Sequence, residues 1–537
     1  MQFLIVISVV TIIFIAWNVY FTIINRRLRL KKMYSLFGLP PEDTTCEIDS
    51  IAVYHDQMKD TQDLRIDHIT WDDLEMDNVF KRINVCLTSV GEEYLYNLLH
   101  EISLNAEHIA QREKLITFLE SNPETMQHIQ KHLFYLGKQN YNGMTSYIFD
   151  AEEKQLRFPY LYKLLAAIPL AFIISLFFDV RVGVVGIMLS FVVNLIVYYR
   201  VARHIEAEIP TIGYFCSMVD CCKNIIKKCV QVDLPVFGEM QKRHTPFKSV
   251  AGKAPVSFWQ NIDNYIYTYL NIAFLINIRK YIKFNSCLSK NRNDLHALYR
   301  LLGQLDTAIC TMSFRKSLPF YTLPQFTNSN TIVFEDIYHP LIAQPVTNSG
   351  GIHANSLITG SNASGKSSFI KTLATNGILA QTLNTCTAQN FAARHSLIIS
   401  SMAVRDNLAS GDSYFVVEVK SLKRIFDMVK KYPCTCYIDE ILRGTNTTER
   451  VAASVSVLTA LAKRDCLCVV ASHDMELTRM LPYDNYHFSE KVENDDVIFD
   501  YVLKNGASTT RNAIKLLNMM GFDAEVVEMA EDIVKGT

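Results

Sequence analysis

The stretch SLITGSNASGKSSFIK, residues 356–371, sets the fold of the C-terminal part of the chain. Its first residues are apolar and predict a buried strand, and apolar residues at helical spacing begin at Phe369. Between them, residues 360–367 follow the pattern G-x-x-x-x-G-K-[ST]. Glycines let the backbone curl until its N–H groups point inward at an anion. The stretch therefore predicts a phosphate-binding loop at the N-terminus of a helix.

Individual residues of this loop have separate roles in such a site. Lys366 would reach the β- and γ-phosphates of a nucleotide, and Ser367 would be a ligand of Mg²⁺. The alternative is an ordinary turn before a helix, which the flanking strand and helix disfavour. We expect the nucleotide to contact the whole loop: Gly360, Ser361, Asn362, Ala363, Ser364, Gly365, Lys366, Ser367 and Ser368.

The composition limits the organisation of the 537-residue chain. A chain of this length predicts about two to four folding units. Its 53 basic and 54 acidic residues nearly cancel, so no overall field draws it to nucleic acid. Hydrophobic residues make up 49%, near the top of the soluble range, which points to membrane segments.

Thirteen cysteines are scattered without the spacing of a disulfide framework, which favours a reducing compartment. Two C-x-C pairs, Cys434/Cys436 and Cys466/Cys468, each lie in a short apolar run. Alternate residues of a strand point to one face, so we interpret these thiols as small core side chains. Metal ligation is the alternative for the same residues.

The N-terminus predicts a membrane anchor. Residues 3–24 carry no charge and are long enough to cross a bilayer, and a basic segment follows directly. A signal peptide has the opposite order of charges and a small-residue cleavage site. By the positive-inside rule, residues 1–32 form an uncleaved anchor with the following chain in the cytoplasm. A buried core helix is the alternative.

A second apolar block predicts a transmembrane helical hairpin over residues 159–200. Charged residues near Asp179 divide it, and basic residues flank both ends, which places both flanks in the cytoplasm. Gly183, Gly186 and Asn194 suit close contact between helices in a membrane. A buried hairpin of a soluble protein is the alternative. The two segments together predict a multi-pass protein of the cell membrane.

Helical periodicity dominates residues 33–158 and 201–328, and from residue 329 short β-rich runs alternate with helices. The first helical part has a predicted buried face: Leu95, Leu98, Leu99, Ile102, Ile109, Leu115, Ile116 and Leu119. The aromatics Tyr265, Tyr267, Tyr269 and Phe274 are interpreted as core, with base stacking as the alternative. Residues 329–537 are predicted to form an α/β nucleotide-binding domain.

Two apolar strands after the loop end in side chains suited to phosphate chemistry. Residues 434–438 lead into Asp439 and Glu440, which we interpret as the Mg²⁺ partner and the general base for the attacking water. Residues 467–471 lead towards His473, whose neutral imidazole can hydrogen-bond the γ-phosphate and the water. Gln389 is expected to contact the metal or the water. A solvated turn is the alternative for an Asp-Glu pair.

A second anion site is predicted at Ser413, where a turn precedes a helical run. In one chain this site faces nothing, which suggests that it serves the nucleotide of another subunit.

Four segments together resemble one family: GSNASGKSS at 360–368, DNLASGDSYFVVEV at 406–419, DEILRGTNTTER at 439–450 and ASHDMELT at 471–478. They are similar to the ATPase domain of the DNA mismatch repair MutS family, within the ABC-type ATPases. Residues 505–533 resemble the family's C-terminal end, and residues 88–91 and 305–326 its core and lever helices. The fold expected is an α-helical core and lever region with transmembrane helices plus a C-terminal α/β ABC-type P-loop ATPase domain.

The resemblance implies ATP and Mg²⁺ as cofactors and a homodimer of ATPase heads with two composite sites. Lys366, Ser367, Asp439, Glu440 and His473 would act in one subunit and Ser413 in the site of the other. Leu442 stands where the family usually has glycine, and Ala363-Ser364 replace a pair that usually ends in glycine. Neither change removes a catalytic group, so ATP hydrolysis is expected.

The leading hypothesis is a membrane-anchored MutS-like ATPase whose ATP cycle moves the levers and hairpin, with DNA binding left open. Mismatch recognition is not expected, because a predicted anchor precedes the levers where the family has its mismatch-reading domain. One alternative is a membrane tether that binds nucleic acid in an ATP-switched manner, suggested by the basic stretch Lys280, Lys283, Lys290 and Arg292. Another is a nucleotide-binding scaffold with little turnover. Transport is less favoured, because three spans are few.

Overall fold

The computed structural model describes residues 2–42, 46–59, 64–102, 106–139, 143–149, 156, 158–205, 208–248, 264–361, 364–402, 414–493, 496–508 and 522–536. Helices dominate up to residue 316. They are α1 (Gln2–Leu36), α2 (Ile48–Met58), α3 (His68–Asp73), α4 (Met76–Ile83), α5 (Ser89–His100), α6 (Ala106–Ser121), α7 (Pro123–Leu136), α8 (Met144–Phe149), α9 (Pro159–Ser175), α10 (Val180–Ile205), α11 (Ile209–Cys229), α12 (Pro235–His244), α13 (Asn264–Phe274) and α14 (Ile276–Lys316).

The helical part is built around the packing of α5 against the long helix α14. Thr88 is the N-cap of α5, and its hydroxyl accepts a hydrogen bond from the backbone N–H of Gly91. The buried carboxylate of Asp306 on α14 accepts from the Thr88 hydroxyl at 2.6 Å and from the Thr88 backbone N–H at 2.9 Å. A Cβ on Gly91 would lie 2.1 Å from this carboxylate, so only glycine permits the approach.

The predicted apolar face of the first helical part is buried. All eight of its predicted core residues, from Leu95 on α5 to Leu119 on α6, are at most 6% exposed. The aromatic prediction is wrong for Tyr269, which is 61% exposed on α13 beside Phe191 of α10. Phe274 is half-buried, and the side chains of Tyr265 and Tyr267 lie outside the described part of the structure.

Residues 159–205 form the predicted helical hairpin from α9 and α10. Its small residues bring the helices together, since a Cβ on Gly186 would lie 2.1 Å from the Phe172 ring. The buried Asn194 amide donates to the carbonyl oxygens of Leu165 on α9 at 3.1 Å and Ala273 on α13 at 2.7 Å. These contacts agree with the helix–helix role predicted for both residue types.

The prediction of several membrane spans is only partly supported. Among the described residues, one helical segment, Val180–Val201, is long and apolar enough to cross a membrane, with a mean hydropathy of 2.3. Its neighbour α9 is apolar but shorter. Residues 2–36 are helical as expected, although most side chains of the first twenty residues lie outside the description. The N-terminal anchor therefore stays a prediction.

The C-terminal part contains the sheets and the remaining helices. The strands are β1 (Gln325–Thr327), β2 (Ile332–Ile337), β3 (Asn348–Ile352), β4 (Ser356–Thr359), β5 (Asn390–Arg394), β6 (Leu397–Ser401), β7 (Cys434–Asp439), β8 (Cys466–Ala471), β9 (Asp484–His487), β10 (Glu490–Glu493), β11 (Asp496–Phe499) and β12 (Lys504–Asn505). The helices are α15 (Lys366–Leu383), α16 (Tyr414–Val429), α17 (Thr447–Ala462), α18 (Leu477–Met480) and α19 (Ala524–Gly536).

A six-stranded sheet of order β12-β9-β4-β8-β7-β6 organises this part. Every strand pair from β9 to β6 is parallel, and β4, β7 and β8 are buried along their whole length. Strands covered on both faces are expected to be rich in apolar residues, as these are. A four-stranded sheet of order β1-β5-β2-β3 and a hairpin of β10 and β11 complete it.

Arg315 forms one of several contacts that connect the two parts of the molecule, with others between Lys371 and Glu75 and between Ser400 and Asp73. Arg315, at the end of α14, is 3% exposed and makes a two-pronged ion pair with Glu113 of α6 at 2.7 and 2.8 Å. The same guanidinium donates to the carbonyl oxygen of Asn384 at 3.0 Å, directly after the phosphate-loop helix α15. A residue of the helical part is thereby fixed to the helix that carries the phosphate loop.

Candidate nucleotide site

Three parallel strands end side by side at the predicted site. In the register of β7 and β8, Asp439 lies opposite Ala471, and β8 in turn pairs with β4. The backbone N–H of Glu440 donates to the Ala471 carbonyl at 3.0 Å, and that of Ser472 donates to Ile358 at 3.0 Å. The sheet therefore brings the phosphate loop, the two carboxylates and the histidine to one edge, as the sequence predicts.

The backbone of the phosphate loop requires its glycines. Gly360 has φ 145° and Gly365 has φ 103°, both in the region that favours glycine. A Cβ on Gly360 would lie 2.7 Å from the carbonyl oxygen of Phe488. These two positions let the loop turn directly from β4 into α15.

Lys366 holds a positive charge inside the loop. Its side chain is buried, and Nζ donates to the carbonyl oxygens of Gly360 and Ser361, both at 2.7 Å. Burial lowers the pKa of Lys366, and the nearby carboxylates of Glu440 and Asp439 act in the opposite direction. The ammonium is positioned for an anion that lies over the loop.

The residues predicted to hold Mg²⁺ fit that ion. Asp439 is 6% exposed, and its Oδ1 has no hydrogen-bond partner among the residues that the structure describes. A buried carboxylate oxygen without a donor is costly unless a cation or water completes it. Ser367 is exposed in the first turn of α15 at the same edge. Two oxygens of this kind are the hard ligands that Mg²⁺ prefers.

Glu440 lies between two side chains that contact its carboxylate. Its Oε2 lies 2.5 Å from Nε of Arg443 and 3.3 Å from Nδ1 of His473. His473 is about half exposed, and its neighbour Asp474 is paired with Arg450 at 2.7 Å. The carboxylate and the imidazole therefore face the same space, which is the arrangement needed to orient a water molecule.

Sequence reasoning missed three residues around the loop. Arg443 is one, because nothing in its spacing shows that it turns back onto Glu440. Glu490 is another: it is buried and accepts a hydrogen bond from the Ser361 hydroxyl at 2.8 Å. Tyr501 is the third, since its ring would lie 3.0 Å from a Cβ on Gly365. Glu490 begins β10 and Tyr501 lies between β11 and β12, in a region after the histidine that has no sequence motif.

The remaining predicted site residues have different outcomes. Ser364, Gly365 and Ser368 lie in the loop and first helical turn, as expected. Asn362, Ala363 and Ser413 lie outside the described residues. Gln389 is exposed beside β5 of the smaller sheet, and its backbone N–H donates to Glu335 at 2.8 Å. Among the described contacts none joins Gln389 to the loop or the carboxylates, so its role stays a prediction.

Comparison with known sequences agrees with this geometry. The family described as MutS domain V matches residues 356–536, which include the loop, both strand ends and the histidine. Residues 356–536 of the chain belong to the MutS domain V family. The matched region is its ATPase domain, and it begins with β4.

Individual MutS proteins match a stretch longer than this domain. The chain is 26% identical over 253 residues to the DNA mismatch repair protein MutS of Pseudothermotoga lettingae, covering 44% of this chain and 31% of that protein. It is 28% identical over 268 residues to MutS protein homolog 4 of Mus musculus, covering 46% and 28%. A MutS of Methanosarcina acetivorans is 26% identical over 268 residues, covering 46% and 29%. The chain thus spans less than a third of the length of these relatives.

Proposed function

We propose that this MutS-family chain binds ATP with Mg²⁺ and hydrolyses it. The observation that carries the proposal is the convergence of Lys366, Asp439, Glu440 and His473 at the carboxyl edge of adjacent parallel strands. Crevices at this edge are the usual ligand sites of open α/β sheets. The match to MutS domain V over the same residues supports the proposal.

The chain's own residues have distinct tasks in this mechanism. The loop N–H groups and the Lys366 ammonium bind the β- and γ-phosphates. Ser367 and Asp439 would hold the Mg²⁺, which neutralises phosphate charge when it is bound. Glu440 accepts a proton from the attacking water. A ring nitrogen of His473 orients that water relative to the carboxylate.

Replacing the general base tests this proposal. We expect Glu440→Gln to reduce phosphate release at least about 100-fold while ATP still binds, because general-base catalysis contributes about 10²–10⁴-fold. The exposed Glu124 of α7 provides a matched control, and Glu124→Gln should release phosphate at the wild-type rate. Equal background rates for wild type and Glu440→Gln would reject the enzyme and favour the nucleotide-binding scaffold.

We also propose that two heads form a homodimer in which Ser413 of one subunit reaches the γ-phosphate held by the other. The support is the position of α16, which begins at Tyr414 and packs on β6 and β7 at the same sheet. The exposed apolar residues Phe415, Val416 and Val419 in its first turns give this region a surface for a second head.

A membrane location is the third element of the proposal. The α9–α10 hairpin exposes large apolar side chains, with Phe177 and Phe178 at its tip 87% and 88% exposed. Contiguous apolar surface of this extent favours a lipid environment over water. We propose a membrane-anchored protein whose ATPase domain lies in the cytoplasm, with ATP binding and hydrolysis moving the lever helices.

A further inference from the structure

Four cysteines form a two-by-two array on one face of the main sheet. Strands β7 and β8 pair in parallel with Cys434 opposite Cys466 and Cys436 opposite Cys468. Residues two apart in a strand point to the same face, and neighbouring strands lie about 4.8 Å apart. The two C-x-C motifs, separated by 29 residues between Cys436 and Cys466 in the sequence, therefore combine into one cluster.

The sulfur atoms of three of these thiols lie closer together than strand geometry alone requires. The sulfur atoms of Cys436, Cys466 and Cys468 all lie within 4.8 Å of one another, and those of Cys466 and Cys468 are 3.8 Å apart. All three residues are at most 3% exposed. All thirteen cysteines of the chain are free thiols, so none of these sulfurs is used in a disulfide.

The groups around the cluster include one phenol oxygen, because Tyr483 contacts the Cys468 sulfur, and one nearby ion pair. The Cys466 thiol donates to the carbonyl oxygen of Leu461 at the end of α17, at 3.3 Å. Arg394 pairs with Asp465, directly before Cys466, at 2.6 and 2.7 Å. Its positive charge acts on the Cys434 and Cys466 sulfurs at the amino edge of the sheet, opposite to the nucleotide site.

We propose that Cys436, Cys466 and Cys468 form a binding site for one thiophilic d¹⁰ metal ion of the zinc class. Zn–S bonds of about 2.3 Å separate two sulfurs of a tetrahedral site by about 3.8 Å, and the distance between Cys466 and Cys468 has this value. Binding replaces three S–H bonds by three metal–sulfur bonds and releases three protons to solvent. Oxygen-preferring ions such as Mg²⁺ find no ligand in this set, so the site is chemically separate from the nucleotide site.

Cys434 is the fourth ligand of the same proposal. It lies on the same strand face, it is 1% exposed, and its thiol now donates to the Tyr432 carbonyl at 3.3 Å. Its sulfur is not among the three that already lie within 4.8 Å of one another, so it must turn away from that carbonyl to bind the ion. Its coordination releases a fourth proton, and four thiolates with a divalent ion leave two net negative charges. The Arg394 guanidinium lies at this edge of the sheet but is already paired with Asp465.

The test uses the full-length protein, reduced and stripped of metal, with Cd²⁺ as the probe. Titration should produce the ultraviolet thiolate-to-cadmium charge-transfer band, saturating at about one ion per chain, and Cd²⁺ should also displace Zn²⁺ that was bound first. Cys436→Ala and Cys468→Ala should each weaken Cd²⁺ binding at least about tenfold, as removal of one ligand implies. Cys386→Ala, at another fully buried thiol, should leave the titration unchanged.

X-ray absorption of the wild-type protein with one equivalent of Cd²⁺ keeps the test decisive if a variant does not fold. A first shell of three or four sulfur atoms supports the site. A shell of nitrogen and oxygen, no band in the folded protein, or the same band in Cys436→Ala and Cys468→Ala as in wild type would overturn it and leave the thiols as small core residues.

Discussion

Leu442 shows how the chain departs from its family at a single residue. Its φ is 57°, a conformation that favours glycine, and the resemblance places a glycine at this position in most relatives. The Leu442 side chain is nevertheless 5% exposed within the core. Left-handed backbone costs a bulky residue about 1–2 kcal/mol, whereas removing a buried leucine side chain costs about 2–5 kcal/mol. Burial therefore outweighs strain here.

We predict that Leu442→Gly lowers the unfolding free energy of the ATPase domain by about 1–3 kcal/mol, although it restores the family residue. Leu442→Ala should be at least as destabilised, because it loses the same packing and keeps part of the strain. Denaturant midpoints of the three proteins measure this order. A Leu442→Gly protein more stable than wild type would show that strain dominates at this position.

The positions of site residues are predicted correctly where a short sequence pattern determines them. The glycines of the loop, Lys366 and the strand-ending Asp439 are placed by the spacing of a few residues, and the structure has them at one edge. Arg443 and Glu490 reach the site through turns and strands that carry no motif. Only the three-dimensional path of the chain shows that these side chains arrive there.

At the scale of elements, Arg315 connects the end of α14 in the helical part to the segment after α15 in the C-terminal part. Glu113, Asn384 and the hydroxyl of Thr385 all contact its guanidinium, and Arg315 is almost completely buried. Lysine cannot reproduce these planar, two-pronged contacts. Since α15 begins in the phosphate loop and ends at this joint, the end of α14 is hydrogen-bonded to the segment that directly follows α15.

We predict that Arg315→Lys lowers the unfolding free energy by about 1.5–3 kcal/mol, the cost of losing hydrogen bonds made by a buried charged group. Arg300 is a matched control on the same helix, because it is about half exposed and lies 3.9 Å from Glu239. Arg300→Lys should change stability by less than about 0.5 kcal/mol. Similar thermal midpoints for the two variants would mean that the joint contributes no more than a surface pair.

Burial of a helix face is predicted correctly where the apolar periodicity extends over many residues. It is predicted wrongly where the neighbouring elements determine which side chains are covered. The apolar face of α5 and α6 is buried as predicted, because a helix with that pattern must cover it. The pattern predicts Tyr269 in the core, but the ring is exposed, since it contacts the edge of the hairpin at Phe191 while Asn271 on the same helix is buried against Tyr198. The pairing of β7 with β8, which brings the thiols together, could not be predicted either. Local patterns predict strands but not the order of those strands in a sheet.

For the whole molecule, the exposed apolar surface of the α9–α10 hairpin determines which environment the hairpin prefers. Val185 and Leu189 on α10 are 63% and 66% exposed, and Met480 in the ATPase domain is 55% exposed. All three are apolar and accessible, but only the first two belong to a continuous apolar surface.

We predict that a phospholipid with a photoreactive acyl chain labels Val185 and Leu189 in the reconstituted full-length protein and leaves Met480 unlabelled. Mass spectrometry of the labelled peptides gives the result, and Met480 provides the control within the same chain. Labelling of the N-terminal helix without the hairpin would contradict the membrane-embedded hairpin and favour an apolar contact with protein.

We propose that two copies of this chain assemble composite ATP-hydrolysing sites. Mixing two inactive variants tests this assembly most directly. Lys366→Ala and Ser413→Ala should each release phosphate near background, because each symmetric dimer then has two defective sites. In an equal mixture that exchanges subunits, half of the dimers carry one site with both residues intact, so about a quarter of wild-type phosphate release should return. A mixture that forms mixed dimers yet stays at background, while wild type is active, would contradict the composite site.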